Sequence, residues 1–294
     1  MKQVTTILAI LVGFTMNGQW SYNSNNTGVQ ASTCTASGSY STAMGDGTTA
    51  SGDYSTSMGR STAASALYST AMGYGTDASG YFSTAMGSST TASALYSTAM
   101  GDGTIASGSR STAMGSYTTA SDYASLSIGR YNSVNSTVTA GGSATSFDTD
   151  NAALVIGNGT GSSTKSDAFV VYFNGNATLS GDLTINSDER LKDNIQPLGS
   201  TLDKLHQIEG KTYSFKKDEE HTPKIGVLAQ EVQAVFPELV TEGGDGILSV
   251  NYQGLVPVLI NAINEQDAKI AALEEMVRFL AVQQSQTTSS VAAN

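Results

Sequence analysis

The sequence has little charge, little proline and few residues of the types that bind metals. Charged residues make up 13% of the 294 residues, against roughly 25% in an average soluble domain. Only 4 prolines accompany 31 glycines, which favours repetitive β structure over a flexible linker. One cysteine and two histidines are too few for a structural zinc site. We predict neither a metal nor a cofactor.

An excess of acidic residues limits the partners of the chain. The formal net charge is -11. A surface of this sign repels phosphate backbones and anionic lipid headgroups. We therefore expect no nucleic-acid partner.

Long apolar runs are also missing, apart from one near the N-terminus at residues 7–16. A charged start and small polar residues flank this run, an order that predicts a secretory signal peptide over residues 1–18. A buried strand or a transmembrane helix is the alternative, but the run is short for a bilayer. After signal removal we expect no membrane insertion, and residues 19–37 form an N-terminal segment. Cys34 is either an idle thiol or pairs between subunits.

Residues 41–129 repeat with a strict period of fourteen. An aromatic residue usually precedes the signature Ser-Thr-Ala-Met-Gly, and Thr-x-Ala-Ser follows half a repeat later. Fixed spacing without insertions indicates one structural unit per repeat, stacked on the next. The signature stands at 41–45, 69–73, 83–87, 97–101 and 111–115, with variants at 55–59 and 125–129.

Each repeat is predicted to form one coil with two short strands and two tight turns, because fourteen residues cannot hold two helices. Side chains alternate along a strand, so Thr42 and Met44 share one face while Ser41 and Ala43 share the other. We predict that the methionine face lies inside the coil, with a glycine permitting the turn that follows. The internal ladder would comprise Met44, Met58, Met72, Met86, Met100, Met114 and Ile128.

This repeat is similar to that of trimeric autotransporter adhesin heads, which is close to Ser-Val-Ala-Ile-Gly followed by small residues. The likeness covers about residues 38–131 and implies a left-handed parallel β-roll in a homotrimer. Thr replaces Val and Met replaces Ile here, which keeps the shape but softens the ladder. Regular outer rows of Thr would suit binding to ice or a glycan. The alternative is that small residues simply fit a narrow coil and a trimer interface.

Residues 132–186 break the period and predict a β connector. Segments 153–157 and 168–173 have the composition of strands, and 178–185 follows as a further strand. Asn174-Gly175 between them predicts a hairpin turn. Short strands of this kind can interleave between three chains.

A change of composition marks the hexapeptide Ser-Asp-Glu-Arg-Leu-Lys at residues 187–192. Before it the chain is rich in Gly, Ser, Thr and Ala; after it the chain is charged. Further motifs follow at 223–232, 236–239, 250–252 and 255–260. This order of elements resembles the endosialidase-type intramolecular chaperone domain, a self-cleaving serine peptidase family found at the C-termini of trimeric fibres. The resemblance covers about residues 187–283 of a domain placed at 187–294.

Two residues match the catalytic positions of that family. Ser187 matches its serine at the cleavage point and Lys192 its lysine five residues on, which implies a cut between Asn186 and Ser187. A serine hydroxyl needs a base, and a lysine amine serves as one only when burial lowers its pKa from about 10.4. We therefore hypothesise that a buried, neutral Lys192 activates Ser187 to attack the carbonyl of Asn186. Alternatively, Ser187 marks the site while another group attacks, or it caps a helix.

The rest of this domain predicts helices at 202–208 and 227–236, a strand at 211–215 and a coiled coil at 256–283. β-branched residues at a with Leu at d favour two strands, but both resemblances imply three, and we predict a homotrimer. Gln266 could set the register. Position a holds Val256, Ile263, Ile270 and Val277, and position d holds Leu259, Gln266, Leu273 and Leu280.

These observations predict a secreted or cell-surface homotrimeric fibre whose C-terminal domain aligns three chains and then releases itself. The cleavage would be a single turnover on its own chain, with no external substrate. One alternative is an adhesin that binds a glycan or a cell surface through the roll. Another is a viral tail or host-attachment fibre, although a signal peptide favours a cellular protein.

Overall fold

The polypeptide folds as two units, Met1–Ile185 and Asn186–Asn294. The computed structural model describes residues 20–22, 28–216 and 221–291, so the predicted signal peptide lies outside the described residues. Within those ranges, no helix combines the length and the apolar character needed to cross a membrane.

The fourteen-residue repeats form the coils of a β-solenoid, which confirms the prediction of two strands per repeat. Long strands stack as one parallel sheet and short strands as a second. Adjacent coils are in register, so that Thr84 pairs with Thr98 and Met86 with Met100. In chain order the strands are β1 Trp20–Tyr22, β2 Val29–Ala31, β3 Thr35–Ala36, β4 Thr42–Asp46, β5 Thr49–Ala50, β6 Thr56–Arg60, β7 Ala63–Ala64, β8 Thr70–Tyr74, β9 Asp77–Ala78, β10 Thr84–Ser88, β11 Thr91–Ala92, β12 Thr98–Asp102, β13 Ile105–Ala106, β14 Thr112–Ser116, β15 Thr119–Ala120 and β16 Leu126–Arg130.

The parallel stack is longer at both ends than the predicted head, 38–131. Strand β2 pairs in parallel with β4 at one end, and β17 (Ala152–Asn158) pairs in parallel with β16 at the other. Strands β18 (Asp167–Tyr172) and β19 (Ala177–Leu179) then form the predicted hairpin. The strand predicted over 178–185 ends at Leu179, so most of that segment is not a strand.

Small side chains fill the coils, and the predicted internal methionine ladder is wrong. Ala85 is 0% exposed, whereas Met86 is 37% exposed on the outer face. The two-residue alternation is as predicted, but the inner and outer sides are reversed. The interior has no volume for methionine, because alanines of the long strands meet alanines of the short strands there. This core cluster comprises Ala64, Ala71, Ala78, Ala85, Ala92, Ala99, Ala106, Ala113 and Ala120.

A glycine follows each methionine because neighbouring coils approach too closely for any side chain. Gly87 has φ +125°, and a Cβ atom built there would lie 2.0 Å from the carbonyl oxygen of Gly101. The same clash recurs from Gly73 to Gly87, at 1.9 Å. The glycine row therefore sets the tight spacing that the alanine core requires.

A row of stacked aromatic rings runs along one corner of the solenoid. Neighbouring ring centroids lie 4.9–5.1 Å apart. Each of these residues is left-handed, with φ between +56° and +58°, a conformation that costs a residue with a side chain roughly 1–2 kcal/mol. Stacking of each pair contributes roughly 0.5–1.5 kcal/mol and offsets that cost. The row comprises Tyr40, Tyr54, Tyr68, Phe82 and Tyr96.

Replacing Tyr68 should separate the two effects. Tyr68→Ala loses the ring contacts with Tyr54 and Phe82 and keeps the left-handed backbone, whereas Tyr68→Gly loses the contacts but relieves the backbone. We expect the thermal midpoint to be highest with Tyr, lower with Gly and lowest with Ala. The free energy of unfolding should be about 0.5–1 kcal/mol larger for the Gly variant than for the Ala variant. Circular dichroism melts measure this, with Tyr81→Ala as the control because the exposed ring of Tyr81 lies outside the row. An Ala variant equal to the Gly variant would contradict the backbone argument.

Side-chain amides and a buried carboxylate close the C-terminal end of the short-strand sheet. The Asn132 amide accepts from the Thr119 N–H at 2.7 Å and donates to the Thr119 carbonyl at 2.8 Å, as a further strand would. Asp122 is fully buried and accepts from the N–H and hydroxyl of Thr139 and the N–H of Ala152. Because the exposed edge of a sheet invites pairing with another chain, these contacts end the stack cleanly.

The second unit is a small α+β structure around Val232, Phe236 and Val258. The predicted helices and strand are present with shorter bounds, and the helix of residues 229–235 ends before Pro237. The elements are α1 Leu202–Leu205, β20 Lys211–Tyr213, β21 Lys224–Gly226, α2 Ala229–Val235, β22 Val240–Glu242, β23 Leu248–Val250 and α3 Leu255–Val291.

Helix α3 carries the predicted heptad positions on an exposed surface. Val258 and Ala262 face the core of the unit and are buried. By contrast, Ile270, Leu273 and Val277 are 48–64% exposed. A helix in water normally buries its apolar stripe, so the predicted coiled coil remains the interpretation that accounts for this face.

Candidate functional site

The hexapeptide at residues 187–192 lies at the start of the second unit and folds as a single tight turn. A short 3-10 helix spans Glu189–Leu191, and Asp188 is its cap: the carboxylate accepts from the N–H of Arg190. The N–H groups of Leu191 and Lys192 donate to the carbonyls of Asp188 and Glu189. The cap is therefore Asp188 and not Ser187, which removes the alternative in which Ser187 serves as a helix cap.

The turn brings the two predicted catalytic side chains together. The Lys192 Nζ donates to the Ser187 Oγ at 2.7 Å. This is the distance over which a base can take the proton of a nucleophile. Five residues of an extended chain would hold these groups well apart, so the contact depends on the turn between them. Asn186, whose carbonyl would be attacked, is exposed immediately before Ser187.

The site differs from the prediction in one respect, because Lys192 is not buried. Ser187 and Lys192 are both exposed in the single chain, so the burial that the sequence predicts for Lys192 is absent there. The described chain therefore supplies the contact between base and nucleophile but not the dry surroundings that the chemistry requires.

A carboxylate on α3 anchors the segment that follows the hexapeptide. The sequence analysis did not predict this contact. Glu265 accepts from the N–H of Thr201 at 2.6 Å and from the Ser200 hydroxyl at 2.8 Å. The Asn261 amide joins them, donating to Glu265 at 2.9 Å and to the Gly199 carbonyl at 2.7 Å. These contacts fix residues 199–201 to the long helix.

The anchor should make the second unit sensitive to acid. The N–H of Thr201, above all, holds the pKa of the Glu265 carboxyl below its ordinary value of 4.5. A lowered folded-state pKa means that the stabilisation is complete above pH 4.5 and is lost as the pH falls below it. Glu265→Gln should therefore accelerate amide exchange of residues 200–205 at neutral pH. In this variant the protection of the segment, relative to the intrinsic exchange rate, should no longer fall as the pH is lowered.

Hydrogen–deuterium exchange measured by mass spectrometry between pH 3 and pH 7 tests this expectation. Glu274→Gln is the matched control, because Glu274 lies on the same helix and makes only an exposed pair with Arg278 at 3.8 Å. Equal effects of the two substitutions would show that the contacts of Glu265 do not hold the segment.

The second unit has further polar and apolar features besides the dyad. Lys211 pairs with Glu209 and Glu231, which ties β20 to α2. A surface cavity of about 370 Å³ is lined by apolar and aromatic side chains such as Tyr213, Phe215 and Ile247, and none of its lining residues is charged. Among the described residues, no group of three or more His, Cys, Asp or Glu side chains could hold a metal ion.

Two family models match separate parts of the chain. Residues 187–241 match the model described as the chaperone of endosialidase. Residues 36–62, 50–76, 78–104 and 106–132 match the YadA head domain repeat. The first match begins at Ser187, the residue at which the cut is predicted.

The chain is similar to long tail fiber proteins of bacteriophages. The chain is 39% identical over 97 residues to the long tail fiber protein Gp37 of Escherichia phage AR1, which covers 30% of this chain and 9% of the relative. It is 33% identical over 122 residues to Gp37 of Salmonella phage S16, covering 36% and 16%. It is 30% identical over 155 residues to Gp37 of Enterobacteria phage K3, covering 48% and 12%. The chain thus spans only a small part of the length of each relative.

Both resemblances predicted from the sequence are confirmed: one part of the chain matches the YadA head domain repeat, and another matches the chaperone of endosialidase.

Proposed function

We propose that this chain forms a homotrimeric extracellular fibre and that its C-terminal domain cleaves itself off at Asn186–Ser187. The observation that carries the proposal is the 2.7 Å hydrogen bond between the Lys192 Nζ and the Ser187 Oγ. Similarity to phage tail fibres and to a chaperone of endosialidase supports it. The chaperone segment aligns three chains, and after its removal the fibre is maintained by a high barrier to unfolding.

The proposed reaction has two steps. The neutral amine of Lys192 takes the proton of the Ser187 hydroxyl, and Oγ attacks the carbonyl carbon of Asn186. An ester forms between Asn186 and the Ser187 Oγ, the peptide C–N bond breaks, and the ammonium of Lys192 returns the proton to the released amine of Ser187. Water then hydrolyses the ester, which frees the carboxylate of Asn186 and the hydroxyl of Ser187.

This chemistry needs a dry site, and neighbouring copies are the source of cover that we propose. Three apolar side chains close to the dyad in the sequence, Leu191, Ile195 and Leu198, are 49–70% exposed. Packing these side chains against other copies would bury the amine of Lys192 and favour its neutral form. Cleavage would then follow assembly and would not precede it.

Two exposed apolar faces support the association of copies. The heptad side chains of α3 include Ile270 and Leu273, which no other part of the described chain covers. On the roll, the outer face of the long-strand sheet carries rows of threonine and methionine side chains that are partly exposed. We assign the methionine row to contacts between the three copies.

The second candidate function is attachment to a glycan or another cell-surface ligand. The tail-fibre relatives favour a host-attachment fibre of a virion, whereas the predicted signal peptide favours a cellular protein. In both settings the roll is displayed outside a cell.

Intact mass spectrometry and light scattering of the purified chain test the main proposal. We expect two fragments, one ending at Asn186 and one beginning at Ser187, and an N-terminal fragment with the mass of a trimer. A full-length chain that is trimeric but uncut would contradict the cleavage alone. A monomer would contradict the fibre.

A further inference from the structure

Asp188 and Arg190 form an ion pair inside the hexapeptide, and the proposed reaction does not use it. The Arg190 Nε donates to the Asp188 Oδ1 at 3.0 Å, and Nη2 donates to Oδ2 at 2.7 Å. The backbone N–H of Arg190 adds a third bond to Oδ1 at 2.9 Å. This two-pronged arrangement is the strongest and most directional form of a carboxylate–guanidinium contact.

The pair is too exposed to be explained by stability. The side chain of Arg190 is 88% exposed, and ion pairs in that setting contribute little to folding. Its position suggests a local role, since Asp188 directly follows Ser187 and caps the turn that returns the chain to Lys192.

The bond to Arg190 also engages the carboxylate of Asp188, which could otherwise compete with Ser187 for the amine of Lys192. Asp188 and Lys192 flank the same short 3-10 helix, one at each end, so the carboxylate and the amine belong to one turn. Its bond to Arg190 is the main cause that holds the pKa of Asp188 below its ordinary value, so this carboxylate is ionised. An ionised but unpaired Asp188 would draw the ammonium of Lys192 away from Ser187 and favour its charged form. The other charged side chains along the segment are Glu189 and Asp193.

We propose that Asp188 and Arg190 are positioning residues for the Ser187–Lys192 pair: Asp188 fixes the turn, and Arg190 keeps its carboxylate from Lys192. This inference rests on the proposed self-cleavage for its consequence, but the geometry can be tested without cleavage. The two roles predict different results for single and double substitutions.

The first measurement uses full-length chain blocked by Ser187→Ala. Lysines are labelled with an amine-reactive reagent between pH 6 and pH 11, and the peptide that contains Lys192 is quantified by mass spectrometry. Arg190→Gln should raise the pH of half-maximal labelling by roughly 0.5–1 unit, because Asp188 becomes free to pair with the ammonium. Adding Asp188→Asn should remove that shift. Glu189→Gln is the matched control on the same turn, and it should shift the labelling midpoint by less than Arg190→Gln does.

The second measurement follows cleavage of chain made in a cell-free system, with translation stopped and the pH then varied. Arg190→Gln should slow cleavage roughly tenfold at neutral pH and move the rate profile to higher pH. The double variant should regain the original profile at a reduced rate, because a neutral amide then caps the turn in place of the charge-assisted bond of the carboxylate.

An unchanged labelling midpoint in Arg190→Gln, or a shift that survives in the double variant, would overturn the positioning roles. An unshifted midpoint contradicts this inference even where the parent chain is cut normally. The expected labelling shift together with an uncut parent chain would instead uphold the geometry and contradict the self-cleavage.

Discussion

Ala85→Asp should destroy the β-roll, whereas Met86→Asp should leave the coils wound and prevent assembly. Ala85 is fully buried and pairs in register with Ala71 and Ala99. An aspartate there would bury a carboxylate at a cost of several kcal/mol, because the buried residues of the described chain include no lysine or arginine, and it would overfill the core. Met86 lies on the outer face, where a carboxylate of a single chain stays in water.

Circular dichroism and light scattering distinguish the two outcomes. Ala85→Asp should lose the β signal of the repeats, and Met86→Asp should keep that signal while the trimer yield falls. Ser88→Asp is the control, because Ser88 is only partly buried and its row already contains the exposed Asp46 and Asp102. Loss of β signal in Met86→Asp but not in Ala85→Asp would reverse the assignment of the faces. A Met86→Asp chain that assembles normally would exclude the methionine row as the contact between copies.

The sequence predicts the architecture of the repeats but not which face lies inside. The period and the alternation identify the strands and group Thr42 with Met44, and the structure agrees. Hydrophobicity then favours methionine over alanine as the buried residue, and that inference fails. Space decides instead, because the close approach of coils at glycines such as Gly87 leaves room only for small side chains.

Contacts of the site between residues close together in the sequence are predictable, whereas contacts between residues far apart in the sequence are not. The Ser187–Lys192 contact arises within one turn, and the resemblance to the chaperone family implied this pair of residues. The anchor between Thr201 and Glu265 joins residues 64 apart, and no local pattern marks it. The expected burial of Lys192 is absent from the single chain, and under our proposal it arises only when other copies cover the site.

Substitutions at the dyad should stop the release of the C-terminal domain. Ser187→Ala removes the nucleophile and should lower the cleavage rate by about 10⁶-fold, the loss seen when a serine nucleophile is removed from a peptidase. Lys192→Met removes the base and should lower the rate by about 10²–10⁴-fold. Each variant should still assemble, because neither side chain contributes to the core around Val232 and Phe236.

Lys192→Arg separates the role of a base from that of a positive charge. Arginine keeps the charge and can still donate to the Ser187 hydroxyl, but it does not lose its proton in proteins. We therefore expect Lys192→Arg to be as inactive as Lys192→Met. Lys204→Met is the control, because Lys204 lies over the ring of Phe236 in the same unit, where methionine keeps an apolar contact. Intact mass spectrometry of the parent chain and the four variants over time gives the rates. Normal cleavage in Lys192→Arg would mean that Lys192 acts as a charge and not as a base, and normal cleavage in Ser187→Ala would mean that another group attacks Asn186.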